Sequence, residues 1–260
     1  MKVTWLGTAS ILLEGAAGKL LFDPYLKLRS RGLRPFPLDA LSDVDAIFIT
    51  HPHLDHFADM QAILDRCSAP VYMCARGLEI AREQEFDLSR MRRIRAGDVV
   101  RIADLEVRAH QSCHCAYDRP ILRETLSRAL RPAQLREGLS VEAQNLQFKI
   151  DMDRDVLGFE ICDGDKRVFL LGSANCREDV EYPTGMDLLI YPYQGRSDME
   201  VYSLQFLEKF RPRRVMLDHF DDAFPPISCQ MDCAPFLHRA KECFPEIEVF
   251  VPEEGSAREV

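Results

Sequence analysis

The stretch AIFITHPHLDHFAD, residues 46–59, runs from a short apolar segment straight into three histidines and an aspartate within six positions. That junction constrains the fold more than any other part of the chain. DAIFIT is short and rich in Ile and Phe, so it reads as a buried strand. Pro52 favours extended backbone after it. Residues two apart in extended chain point the same way, which lets His51 and His53 reach one point. A helix is expected over roughly 56–66, with Phe57, Met60, Ile63 and Leu64 at helical spacing. Asp55 and His56 leave from its start, offset from the first pair. Asp55 as a simple helix cap is the plain alternative, but four such groups side by side repel or desolvate one another unless something binds them. Imidazole nitrogen and carboxylate oxygen suit zinc, iron or manganese. The loop therefore offers two adjacent metal positions, which distant histidines must complete.

The rest of the chain alternates strands and helices. KVTWLG and SILLEG read as a hairpin, KLLFDPYL as a third strand ending at Asp23-Pro24, and PVYMCA as another strand before a helix at GLEIAREQEF. Two strands joined at Ala103-Asp104, a hairpin with a DG turn over VLGFEICDGDKRVFLLG, and strands at DLLIYPY, RRVMLDHF and IEVFVPEEG follow. Strands alternating with helices in both halves predict an α/β fold of sheets covered by helices. With 260 residues, 47% of them hydrophobic, the chain can bury a sizeable core. A formal net charge of -9 argues against a nucleic-acid partner, whose recognition rests on phosphate neutralisation. No signal peptide and no apolar run of ~20 residues is visible, which argues against a membrane. Nine scattered cysteines without a CxxC pair read as reduced thiols, and the expected location is cytoplasmic.

THPHLDHF resembles the HxHxDH motif of the metallo-β-lactamase superfamily. The order of hairpin, LFDPYL, motif loop and later histidines at strand ends is also similar to that family. DLLIYPYQG, LDHFDDAFPP and VFVPEEG look like its UlaG-like branch, so the likeness spans nearly all the chain except about 117–150. It implies a four-layer αββα sandwich, one domain over 1–260 with a helical insertion at about 117–150, and a metal site at one edge of the sheets. The family's third ligand for the first metal falls at His110 or His114. Spacing from Val107 favours His114, leaving His110 to support a ligand or touch substrate. The family's last ligand matches His219, which would join Asp55 and His56 on a second metal. Ser173 in LLGSANC departs from the pattern, because most two-metal members carry a bridging aspartate there. One firmly held metal is therefore expected, with Asp23, Asp221 or Asp222 as partial compensation at the second position.

These residues point to a metal-dependent hydrolase with one or two zinc ions, manganese or iron being alternatives. Its substrate would be a small, anionic ester, lactone, amide or phosphoester. Asp55 would orient water or bind the second metal, Asp23 would fix a ligand histidine, and His219 would protonate the leaving group. His110, Ser173, Arg196 and Asp221 are the substrate-side candidates. Lys27, Arg29, Arg31 and Arg34 sit in a basic loop that reads first as solvated. The segment 117–147 reads as a lid. An iron-dependent redox enzyme on the same fold, or a non-catalytic metal-binding member, are the competing functions. A homo-oligomer is compatible with all three.

Overall fold

The computed structural model describes residues 1–26 and 36–260, so the basic loop carrying Lys27, Arg29, Arg31 and Arg34 lies outside the described residues. Strands β1 (Lys2–Trp5), β2 (Ile11–Glu14), β3 (Lys19–Phe22), β4 (Ala46–Phe48), β5 (Val71–Met73) and β6 (Met91–Arg93) follow one another across the first sheet. The second sheet runs likewise through β7 (Val99–Ile102), β8 (Leu105–Gln111), β9 (Leu157–Asp163), β10 (Lys166–Leu170), β11 (Leu188–Pro192), β12 (Arg214–Asp218) and β13 (Glu248–Phe250). A last strand, β14 (Ala257–Glu259), returns to pair with β1. Both sheets begin antiparallel and end parallel, the change falling at β3–β4 and at β10–β11.

Parallel neighbours need crossovers, and helices supply most of them. On the first sheet these are α1 (Leu54–Phe57), α2 (Met60–Leu64) and α3 (Ala75–Glu83). Helices α4 (Arg119–Ala129) and α5 (Leu135–Asn145) fill the connection between β8 and β9. The second sheet is crossed by α6 (Met199–Tyr202), α7 (Leu204–Phe210) and α8 (Ala234–Cys243). The result is the αββα sandwich.

Side-chain alternation explains the layers. In β4 and its extension, Ala46 and Phe48 point between the sheets, whereas Ile47 and Ile49 point into the helical layer. Phe22, Phe48 and Phe159 meet between the sheets with ring centroids 5.3–5.8 Å apart. Truncating one of them to Ala costs about 3–5 kcal/mol in transfer and cavity terms. On the other side, Phe206 and Phe236 pack on Tyr191, and Phe210 packs on Phe169.

Local readings differ from the structure at a few points. The helix expected over 56–66 is two short helices, α1 and α2, because Asp59 (φ -92°, ψ 10°) leaves the helical region between them. β6 and β14 are three residues each and carry charged, exposed side chains, so neither shows an apolar alternation. Among the described residues, no helix is long and apolar enough to cross a membrane. All nine cysteines are free.

Candidate metal centre

The candidate centre forms where strands of both sheets end along one edge. Asp23 follows β3, residues 50–56 follow β4, His114 follows β8, Ser173 follows β10 and His219 follows β12. The sheets close tightly here: a Cβ on Gly172 would lie 2.2 Å from the Leu157 carbonyl oxygen and 2.8 Å from Thr50 Cβ. The Leu157 amide donates to the Thr50 carbonyl across the same gap, at 2.8 Å. Thr8 (φ 51°), Asp23 (φ 44°) and His219 (φ 54°) all hold left-handed backbone. Such conformations cost of order 1–3 kcal/mol each and persist where neighbours over-determine them. Here the His219 amide donates to the Thr8 carbonyl at 2.8 Å, the Thr8 amide donates to Asp221 Oδ2 at 2.9 Å, and the Asp23 amide donates to the Phe48 carbonyl at 3.0 Å.

Six side chains gather in two triads. His51, His53 and His114 each place one ligand atom within 4.8 Å of the others, and Asp55, His56 and His219 do the same. The triads adjoin, with the His51 and His56 ring centroids 4.1 Å apart. Neighbouring groups set the tautomers. Thr50 Oγ1 donates to Asp23 Oδ2 at 2.6 Å, so at 3.0 Å it accepts the Nδ1 proton of His51. His114 Nδ1 donates to the Cys115 carbonyl at 3.0 Å. Both rings therefore present an Nε2 lone pair, and that of His51 is buried without a hydrogen-bond partner. Asp23 also lies 2.9 Å from His56 Nδ1, so one buried carboxylate braces a ring in each triad. A buried imidazole lone pair facing two more imidazoles, with tautomers held by Thr50 and the Cys115 carbonyl behind, is a donor set that fits a divalent ion.

The electrostatics separate the triads. Burial, reinforced by the surrounding histidines, pushes His51 well below its ordinary pKa. Burial and His114 bring His53 down to about 3, and burial brings His114 down to about 4. All three are neutral near pH 7, the state a ligand needs. The second triad is an ion-paired cluster. Burial opposes charge on His219, but the 2.8 Å contact with Asp55 raises it to about 9. Burial likewise opposes charge on His56, and Asp23 and Asp55 raise it. Burial would raise Asp55, yet His56 and His219 hold it well below the usual carboxylate range.

The profile of the Beta-lactamase superfamily domain matches residues 19–220, which include both triads. The chain belongs to the metallo-β-lactamase superfamily. Within it, a UPF0173 protein of Pyrococcus abyssi is 25% identical over 222 residues, 85% of this chain and 83% of that one. A UPF0173 metal-dependent hydrolase of Archaeoglobus fulgidus is 42% identical over 72 residues, 27% of this chain and 29% of its own length, so the matched part spans under a third of that relative. In structure, the chain is similar to Igni18, a metallo hydrolase from Ignicoccus hospitalis, with TM-score 0.64, 18% identity and coverage of 100% and 98%.

Against the superfamily's site, the structure brings His51, His53, Asp55, His56, His114 and His219 together and sets Asp23 behind them. Four substrate-side expectations fare differently. His110 is not at the cluster. It sits within β8, where Val107 and Ala109 face the core, so His110 faces out, 3.2 Å from Glu160 and beside Phe169 and Tyr182. Arg196 is already engaged: it pairs with both oxygens of Asp198 at 2.7 and 3.0 Å, donates to the Ala116 carbonyl and lies over the Tyr202 ring. It closes the base of the α4 connection, where Asp118 caps α4 and accepts from Ser197. Asp221 anchors Thr8 and does not line the cavity. Ser173 lines the cavity, and its Oγ accepts the Cys115 amide at 3.0 Å, which steadies the His114 loop.

A cavity of about 570 Å³ opens above the triads, and sequence reasoning missed most of its wall. Tyr117, Ile121, Leu122, Phe148, Met152, Phe224 and Met231 contribute. Asp218 was also missed. Burial pushes its carboxyl up to about 8, and its Oδ1 has no partner; the only signal was its place directly before His219.

Proposed function

We propose that this chain is a metal-dependent hydrolase acting on a small ester, lactone, amide or phosphoester, with zinc as the first choice of metal. The observation that carries this reading is the pair of adjoining triads at the floor of one cavity. The name of the Archaeoglobus fulgidus relative supports it. His51, His53 and His114 would hold the first ion, and Asp55, His56 and His219 a second. A divalent ion supplies Lewis acidity and lowers the pKa of a coordinated water to about 7.

The chain's own groups supply the rest. Asp23 holds the His56 ring directly and the His51 ring through Thr50, so neither can turn away from the cavity. With one ion bound, Asp55 stays ionised and accepts a hydrogen bond from a water molecule. His219 keeps a proton 2.8 Å from Asp55 and can pass it to a leaving group at the cavity floor. Neither Arg196 nor His110 takes part.

The test is metal analysis of protein purified without added metal, followed by assays on lactones, esters, amides and phosphodiesters. Bound zinc with turnover that a chelator abolishes is expected. Stoichiometric iron with oxygen consumption would favour redox chemistry instead, and metal-replete protein inert on the whole panel would remove the hydrolase reading.

A further inference from the structure

We infer that the cavity selects substrates with an apolar body: an ester, lactone or amide whose acyl part carries a medium-length alkyl or aryl group. The inference rests on the hydrolase reading for the bond broken, and on the cavity alone for the molecule bound.

The metal-ligating groups collect at the floor of this cavity, and its walls are mainly apolar. Tyr117 and Ile121 come from the start of the α4 connection, Phe148 and Met152 from the segment after α5, and Phe224 and Met231 from the loop after β12. The apolar surface begins beside the metal ligands, since the Tyr117 ring centroid is 5.6 Å from that of His114. Much of it is uncovered by protein: Tyr117 is 47% exposed and Leu122, also on the wall, 52%. Apolar surface facing a cavity gains by being covered. The volume, about 570 Å³, lies within the range of about 300–1,000 Å³ that holds small ligands.

Charge does not select here. Arg128 is spent on structure, pairing with Glu124 and donating to the Pro226 and Ile227 carbonyls at 3.3 and 3.0 Å. Those bonds tie α4 to the loop after β12 and hold two walls together. Glu142 and Lys149 on the wall offset each other in sign. Hydrolysis of the proposed substrate adds a water oxygen to the acyl carbon and breaks its bond to the leaving oxygen or nitrogen. The water's proton ends on that leaving atom.

The experiment titrates octanoate and acetate into metal-loaded protein by calorimetry. The two share a carboxylate and differ in alkyl length. Octanoate is expected to bind at least about ten-fold tighter, since each fully buried methylene is worth roughly four-fold. Ile121→Gln should shrink that ratio, whereas Leu139→Gln, exposed and off the cavity wall, should leave it unchanged. Equal affinities for the two acids, or a ratio indifferent to Ile121→Gln, would overturn the inference. Turnover of p-nitrophenyl octanoate and acetate, run alongside, separates the two readings. Octanoate binding with no turnover of either ester removes the hydrolase and keeps the apolar site. Turnover of both esters at equal kcat/KM, with equal acid binding, does the reverse.

Discussion

Asp23→Asn is the most informative single change. Asp23 is 1% exposed and its two oxygens meet three donors: the Thr50 amide at 2.8 Å, Thr50 Oγ1 at 2.6 Å and His56 Nδ1 at 2.9 Å. Asparagine keeps the size but has one oxygen. If that oxygen serves the Thr50 amide, its NH2 group confronts Thr50 Oγ1 and His56 Nδ1, and both rings lose their tautomer support. A hydrogen bond to a charged group contributes about 1.5–3 kcal/mol. At ~1.4 kcal/mol per ten-fold, metal binding should weaken by about 10–100-fold, the usual effect of removing a ligand's supporting partner. Competition against a chromophoric chelator measures it, with a thermal melt to show that the variant folds. Asp179→Asn, in a surface pair with Arg177, is the control and should bind metal normally. A folded Asp23→Asn protein with unaltered metal affinity would refute the bracing argument.

Three further outcomes follow from the geometry. Metal-free protein should have its highest Tm near neutral pH. His219, raised to about 9, gives stability that is full below the unfolded value of about 6.5 and lost as pH climbs through 9. His53 and His114, lowered to about 3 and 4, take up protons more readily when unfolded, so stability also falls as pH drops from about 6.5 towards 4; a Tm in chelator that rises steadily from pH 7 to 9 would contradict this. Ser173→Asp restores a carboxylate at the cavity floor while keeping an acceptor for the Cys115 amide, so desalted protein should retain two ions where the parent retains one, and an unchanged metal count by mass spectrometry would count against it. Gly172→Ala places a methyl group against the Leu157 carbonyl and Thr50, which should cost about 1–3 kcal/mol in denaturant unfolding and weaken metal binding through Thr50; wild-type values for both would show that the sheets are not closed as described.

Four of the six gathered side chains are legible in a single stretch, because a buried strand ending in HxHxDH leaves few other uses for them. His114 and His219 lie far off in sequence, and only the superfamily's order of elements points to them. His110 shows why spacing alone does not decide. It lies four residues before His114 on a segment whose strand end no Gly or Pro marks, and its place in the alternation turns it outward. Arg196 carried a readable warning in Asp198, two residues on, which claims its guanidinium. The left-handed Thr8 had no such signal, since a β-branched residue is a poor candidate for that backbone. The cavity wall was hidden for a different reason. Ile121 and Leu122 face a space meant for a ligand, so they look like stray apolar residues on a polar helix.

The central claim is that imidazoles far apart in sequence converge on a cation. Anomalous diffraction at the zinc edge, from crystals of protein purified without chelator, tests it directly. A peak between His51, His53 and His114, with any second peak beside Asp55, His56 and His219, is the predicted result. Well-ordered rings in that arrangement with no anomalous peak at any first-row metal edge, even after soaking with zinc, would contradict it.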